Sequence, residues 1–313
     1  MNPSLRHHAE TTVDDVSERP TRTALVLGGG GSTGNAWLIG VVAGLFDAGI
    51  DVTDADLTIG TSAGSTAAAQ FAGATPTELL AAVLAADVQP LTGPSGPDRG
   101  RNAAGSVADH LERLRALIAS AVDQADLRRR VGARALELEA ASPETRQAQW
   151  RATVASRLPS PEWPGRRILI TAVDAETGAP IVFDRDSGID LVDAVAASCS
   201  SGAAYRVDGH AYIDGGFRSN AENADLASGC ARVLVLSPFG GRSLVPASWG
   251  THLATQLDEL RARGSGVETI VPDRAAEHLF GANGMDPTLR PPAARAGYDQ
   301  GRALADRVAE FWR

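Results

Sequence analysis

Five residues, Gly60-Thr61-Ser62-Ala63-Gly64, separate an apolar run from a stretch of small residues, and they constrain the fold more than any other feature of the chain. The run before them, Ala55-Asp56-Leu57-Thr58-Ile59, reads as a strand, and Ser65 to Phe71 reads as a helix. A serine on a sharp strand-to-helix turn needs glycine two residues to either side, because a Cβ there would strike neighbouring backbone. The turn lifts the hydroxyl clear of the sheet and sets it over the first N–H groups of the helix. Those donors, and the positive helix end, favour a developing negative charge. With 33 glycines in 313 residues the pattern alone is weak, and an ordinary glycine-rich turn would satisfy it. The flanking strand and helix favour a nucleophile elbow.

A chain of 313 residues is long enough for one large α/β domain or two smaller ones. Its apolar content of 43% and charged content of 21% are those of a soluble globular protein. The net charge of −9 argues against a nucleic-acid partner, which would want a basic face. It also disfavours standing attachment to an anionic bilayer, while leaving room for transient membrane-surface contact through an apolar patch. Cys199 and Cys230 lie far apart in apolar segments and point to reduced core thiols in a cytoplasmic protein, without metal spacing. Residues 1–22 lack a basic-then-apolar leader and read as a polar disordered tail. No uninterrupted apolar stretch reaches the length of a membrane span.

Strands and helices alternate along the first part of the chain. Thr23 to Leu27 reads as a buried strand ending in four glycines, and Asn35 to Ala48 as a helix with Trp37, Leu38, Val41, Val42, Leu45 and Phe46 on one side. The alternation predicts a mostly parallel sheet covered by helices. Residues 87–105, rich in Pro, Gly and Asp, read as a loop. Helices are predicted from Ser106 to about Arg130, from Val131 to Ala141, and from an N-cap at Ser142. This helical insertion, about 87–158, carries both signs of charge; it reads more readily as a solvated layer than as a membrane-docking lid. Ile168–Val173 and Pro180–Phe183 read as a hairpin, Leu191–Cys199 as a helix, and Val233–Ser237 as a further buried strand. The stretch from Pro291 to Arg313 ends in a helix. Without repeats or a clean linker, residues 23–313 are expected to form a single domain.

Gly28-Gly29-Gly30-Gly31-Ser32-Thr33-Gly34 lies between a strand and a helix start, where unobstructed amides converge on an anion. Two anions fit. Gly29, Gly31 and Gly34 satisfy the G-x-G-x-x-G dinucleotide fingerprint, and the same amides suit the oxyanion of a tetrahedral acyl intermediate. A dinucleotide site wants an acid at the end of the second strand. Here Asp51, Asp54 and Asp56 come before or early in that strand, and the serine elbow occupies its end. Acyl transfer is the better account.

A serine hydroxyl needs a base. Of six histidines, His7 and His8 fall in the tail, His110 and His252 on helical segments, and His278 in an irregular region. His210 sits at what reads as a hairpin tip. Asp214 is the stronger candidate: it follows Tyr212-Ile213 and precedes Gly215-Gly216, and a buried carboxylate bonded to a serine is basic enough to take its proton. Composition alone would make this Asp-Gly an ordinary turn.

As an ordered set, Gly28–Gly34, Gly60–Gly64 and Asp214-Gly215-Gly216 resemble the patatin-like phospholipases. The likeness continues through Ala194 to Cys199, through Arg218-Ser219-Asn220, and through Asn223-Ala224-Asp225, covering about residues 23–239. It implies an α/β three-layer sandwich around a mostly parallel sheet and hydrolysis of lipid acyl esters, as by a phospholipase A. The dyad implied has Ser62 as nucleophile and Asp214 as base, with no histidine. Gly29, Gly30 and Gly31 would form the oxyanion hole, Gly34, Gly60, Gly64, Gly215 and Gly216 would support the motifs, and neither metal nor cofactor is implied. The chain departs from the family twice: Thr33 stands where arginine is usual, removing a fixed positive charge, and no proline follows the Ala-Ser-Cys stretch, freeing the Ser200–Tyr205 loop. Those departures motivate a rival, a weakly active or inactive relative that binds lipid or protein. A soluble carboxylesterase is a third reading.

Overall fold

The computed structural model describes residues 22–86 and 111–313. The predicted tail before Arg22 and the predicted loop at 87–105 therefore lie outside the described residues, as does His110.

The order of elements is β1 (Thr23–Leu27), α1 (Gly31–Asp47), β2 (Leu57–Gly60), α2 (Ala63–Gly73) and α3 (Pro76–Ala85). A helix α4 over residues 111–120 precedes α5 (Gln124–Ala140) and α6 (Thr145–Ala155). Then come β3 (Arg167–Asp174), β4 (Pro180–Phe183), α7 (Leu191–Ser198), β5 (Tyr205–Val207) and β6 (His210–Asp214). The chain closes with β7 (Arg232–Leu236), α8 (Leu253–Ala262), β8 (Gly266–Ile270), α9 (Arg290–Ala303) and α10 (Ala305–Trp312).

Eight strands form one sheet in the order β5-β6-β3-β2-β1-β7-β8, with β4 paired to β3. Strands β3, β2, β1, β7 and β8 are parallel, β4 and β6 run antiparallel to β3, and β5 pairs antiparallel with β6. Period-two alternation assigns each side chain a face. Leu25, Leu27, Ile168, Ile170, Leu234 and Leu236 pack under α1, α2, α7 and α9. Ala24, Val26, Leu57, Ile59, Val233 and Val235 pack on the opposite face, against α8 and the 3-10 turn Ala224–Ala227. Farther along, Val173, Ala211 and Ile213 meet Ala135 of α5. Helices on both faces make this a three-layer α/β sandwich.

Helix α1 is buried on every side from Thr33 to Leu45, where the spacing predicted a single apolar face. The reason lies in α9, which runs beside it at backbone contact. A Cβ on Gly40 or Gly44 would overlap the carbonyl oxygens of Ala294 and Tyr298. A Cβ on Gly297 or Gly301 would overlap those of Trp37 and Val41. Trp37 Nε1 donates to Gln300 Oε1 across the same seam (3.1 Å).

Two boundaries in the helical segment differ from expectation. The predicted break near Arg130 does not exist; it falls at residues 121–123, where the Asp123 side chain accepts from the Asp126 amide and caps α5. Ser142 is not the cap of α6 either, because its hydroxyl donates back to the Leu138 carbonyl. Helix α5 is more than a solvated layer: Gly132 lies against the Ala175 backbone, and Arg128 donates to the Gly178 and Arg218 carbonyls. The hairpin β3–β4 and the turn Asp208-Gly209 before His210 form as expected, with both turn residues at positive φ.

Candidate active site

Three carboxyl-terminal strand ends meet at one rim of the sheet. β1 ends in the glycine loop, β2 in the elbow, and antiparallel β6 ends at Asp214 opposite Ala172 of β3. The elbow glycines are dictated by backbone. A Cβ on Gly64 would overlap the Leu27 carbonyl, and one on Gly60 would stand 2.6 Å from Ser65 Cα. Ser62 itself has φ 52° and ψ −113°, a conformation that costs a non-glycine residue about 1–3 kcal/mol. Its peptide groups are held on both sides. The amide donates to Ser198 Oγ (2.9 Å), and the carbonyl accepts from Ser65 Oγ (2.6 Å) and from the Cys199 thiol (3.2 Å).

Ser62 Oγ donates to Asp214 Oδ2 at 2.9 Å, and the Gly216 amide donates to Oδ1 at 2.8 Å. Asp214 is 7% exposed. Burial pushes its carboxyl up to about 6, against the opposing effect of the Gly216 amide and the Ser62 hydroxyl. The chain bends after Asp214 because Gly215 lies on β3: a Cβ there would overlap Thr171 Oγ1. No described histidine bonds to either residue. His252 Nε2 pairs with the Val245 carbonyl, His278 Nδ1 with that of Ala275, and His210 is exposed at its hairpin.

The glycine loop runs alongside Ser62, for a Cβ on Gly29 would stand 3.7 Å from the Cβ of that serine. Its amides are not equivalent. That of Gly28 donates to the Leu236 carbonyl, Gly29 to Ala221, Thr33 to Gly284 and Gly34 to Gly30. The expectation that Gly29 helps form the oxyanion hole is therefore corrected: its single N–H is engaged by Ala221 at 2.8 Å. The amides of Gly30 and Gly31 have no acceptor among the described residues. The Ser200–Tyr205 loop, expected to be freer without its proline, is pinned. Ser200 Oγ donates to the Ala196 carbonyl, its own carbonyl accepts the Asp214 amide, and the Ala204 amide reaches Ala135.

Two residues escaped the reading of the sequence. Asn223, fully buried at φ 56°, donates from Nδ2 to Thr61 Oγ1 and to the Gly215 carbonyl, both at 3.0 Å. It thus joins the residue before Ser62 to the residue after Asp214, and its Oδ1 accepts from Arg218 and Ser219. Its place in Asn223-Ala224-Asp225 was the available signal. Glu222, 1% exposed, lies against Gly28 and accepts from Ser237 Oγ at 2.6 Å. Burial raises its carboxyl to about 7.

The family model described as patatin-like phospholipase matches residues 25–225, the span that contains the glycine loop, the elbow and Asp214. The chain belongs to the patatin-like phospholipase family, whose members are lipid-hydrolysing carboxylic ester hydrolases. No curated protein matches the chain significantly. Solved structures that align with it include VipD from Legionella pneumophila, at 12% identity and a TM-score of 0.42, covering 92% of this chain and 67% of VipD. The type III effector ExoU aligns at 15% identity and a TM-score of 0.37, covering 92% of this chain and 53% of ExoU. ExoU in complex with SpcU from Pseudomonas aeruginosa aligns at 16% identity and 0.36, again covering 92% and 53%. The chain thus spans about half the length of ExoU. Such distant likenesses carry no weight beside the family match.

Proposed function

We propose that the protein hydrolyses acyl esters of lipids through a Ser62–Asp214 dyad. The observation that carries this reading is the 2.9 Å bond from Ser62 Oγ to a carboxylate secluded from water. A carboxyl held near 6 is mostly ionised at neutral pH, yet far more basic than an exposed aspartate. Asp214 accepts the hydroxyl proton as Ser62 Oγ attacks the ester carbonyl. The carbonyl oxygen becomes an anion against the free amides of Gly30 and Gly31 at the positive end of α1. Collapse expels the alcohol, which takes the proton from Asp214 and leaves an acyl-Ser62. Water, deprotonated by the same carboxylate, then releases the fatty acid.

We read residues 23–313 as one hydrolase domain with its helical insertion at about 87–158, since a single apolar cluster runs from Leu25 to Val308. The place of action is the cytoplasmic face of a membrane or a lipid aggregate, met transiently. Among the described residues no helix is long and apolar enough to cross a membrane.

Hydrolysis of a p-nitrophenyl ester and a lipid ester panel by wild type and by Ser62→Ala tests the reading. Loss of turnover in the variant, with fluorophosphonate labelling of the wild type alone, is expected. Ordinary turnover by Ser62→Ala would defeat the assignment. A wild type that neither turns over nor labels would leave a lipid-binding relative.

A further inference from the structure

The glycine loop is gripped from a part of the chain beyond the family match. The carbonyl of Gly284 accepts the Thr33 amide at 3.0 Å. Gly31, at φ 65°, has no room for a side chain, since a Cβ would stand 2.7 Å from that same carbonyl and 3.0 Å from Met285 Sδ. At the first residue of α9, the Arg290 guanidinium forks over the start of α1. Nη1 donates to the Ser32 carbonyl (2.8 Å) and to Ser32 Oγ (3.2 Å), and Nη2 donates to Asn35 Oδ1 (3.2 Å). Asn35 in turn reaches toward the Ala63 carbonyl, one residue past the nucleophile (3.4 Å).

This arrangement is electrostatically costly. No carboxylate among the described residues forms an ion pair with Arg290. The group sits beside the positive end of a helix, where a cation is unfavourable. Burial and the nearby Arg157 both weaken its hold on its proton. A surface arginine would have turned to solvent or found an acid. Thr33 meanwhile turns its side chain inward, fully buried with Oγ1 unpartnered among the described residues, so the loop carries no cation of its own.

We infer that the segment from Gly281 to Arg290 is part of the active site, and that Arg290 is a positioning residue for ester hydrolysis. It fixes the first turn of α1 and places an uncompensated positive charge behind the amides that face the developing oxyanion. The inference rests on the dyad reading for its chemical half. Its structural half, the grip on the loop, does not depend on that reading.

The test uses the full chain with Arg290→Met and Arg290→Lys. On a soluble p-nitrophenyl ester, Arg290→Met is expected to lower kcat about tenfold with KM within about twofold, less than loss of a direct oxyanion donor. Arg290→Lys keeps the charge and should recover most of kcat. Hydrogen exchange at the Thr33 to Asn35 amides should quicken in Arg290→Met. Wild-type kcat in the Met variant, or equal losses in Met and Lys, would overturn the charge role. Unchanged exchange would overturn the grip. Should the wild type prove inert toward esters and fluorophosphonate, the dyad reading falls, and the exchange measurement still decides whether Arg290 holds the loop. If Arg290→Met does not fold, Arg290→Gln takes its place with the same expected outcomes.

Discussion

The elbow and the α9 wall border the same site by opposite means. Around Ser62 the signal is local, five consecutive residues with two glycines forced by backbone contact, although the strained φ is held by Ser198 and Cys199 from farther along the chain. The wall is long-range, since Gly284 and Arg290 come from the far part of the chain to grip Thr33, Ser32 and Asn35. Local geometry dictates which reaction is chemically available. Distant packing decides the charge in which that reaction would run. One is intolerant of any added atom, whereas the other is expected to be tunable by substitution.

The largest expected effect breaks the local side. Gly64→Ala drives a methyl into the Leu27 carbonyl and is expected to cost about 3 kcal/mol or more, read as a lowered melting temperature or loss of soluble protein. A folded, active variant would show the elbow to be far softer than described.

Asp214→Asn separates function from stability within the site. On the proposed dyad, loss of this base is expected to lower kcat by roughly a thousandfold. Because the folded carboxyl lies at about 6, above its unfolded value of 3.8, the native state binds the extra proton. The associated stability is present below pH 4 and disappears as pH rises through 6. Above pH 7 the ionised group therefore costs the fold on the order of 2–3 kcal/mol, and the asparagine variant should melt higher there. Denaturation of both proteins at pH 8 and pH 4 checks this, since the gap must close at the lower pH. Wild-type activity should likewise climb with pH, with its midpoint near 6.

Asn223→Ala tests whether the two halves of the dyad are tied together. It strips the bonds to Thr61 and Gly215 and leaves an alanine at φ 56°. A loss of roughly 2–3 kcal/mol is expected, with kcat falling more than KM changes. Unaltered kcat in a folded variant would show that Ser62 and Asp214 are aligned without it.

The smallest effect belongs to the wall. Gly297→Ala wedges α9 away from Trp37, costing about 1–3 kcal/mol in a melting experiment. Although it lies one helix away from the chemistry, it should lower kcat, because Arg290 moves with α9. Intact kcat alongside lowered stability would show that the wall is scaffolding only.

How much could be read beforehand follows the same division. β1, the β3–β4 hairpin and the serine elbow are signalled by neighbours in the chain: an apolar run, a turn pair, two spaced glycines. The family resemblance implies Gly29 as an oxyanion donor. Only Ala221, brought alongside by the fold, takes its amide away. Arg290, just ahead of two prolines, falls outside every element read from the sequence, and nothing local says that it will lie over Ser32. The break in the helical segment falls before Gln124 and not near Arg130. Gly132 counts as a weak helix residue in isolation, yet it lets α5 continue against the Ala175 backbone. In each case the missing information was a tertiary partner.

The interleaved glycines of α1 and α9 carry a consequence for biosynthesis. Main chain rests on main chain along that seam, so the α1 face is completed only when α9 is in place. A ribosome reaches α9 after every other piece of the catalytic centre has emerged. A nascent polypeptide released before that point would hold Ser62 and Asp214 yet lack the contacts of Gly284 and Arg290 on its glycine loop. On the proposed mechanism, full hydrolytic competence should therefore arrive late in translation.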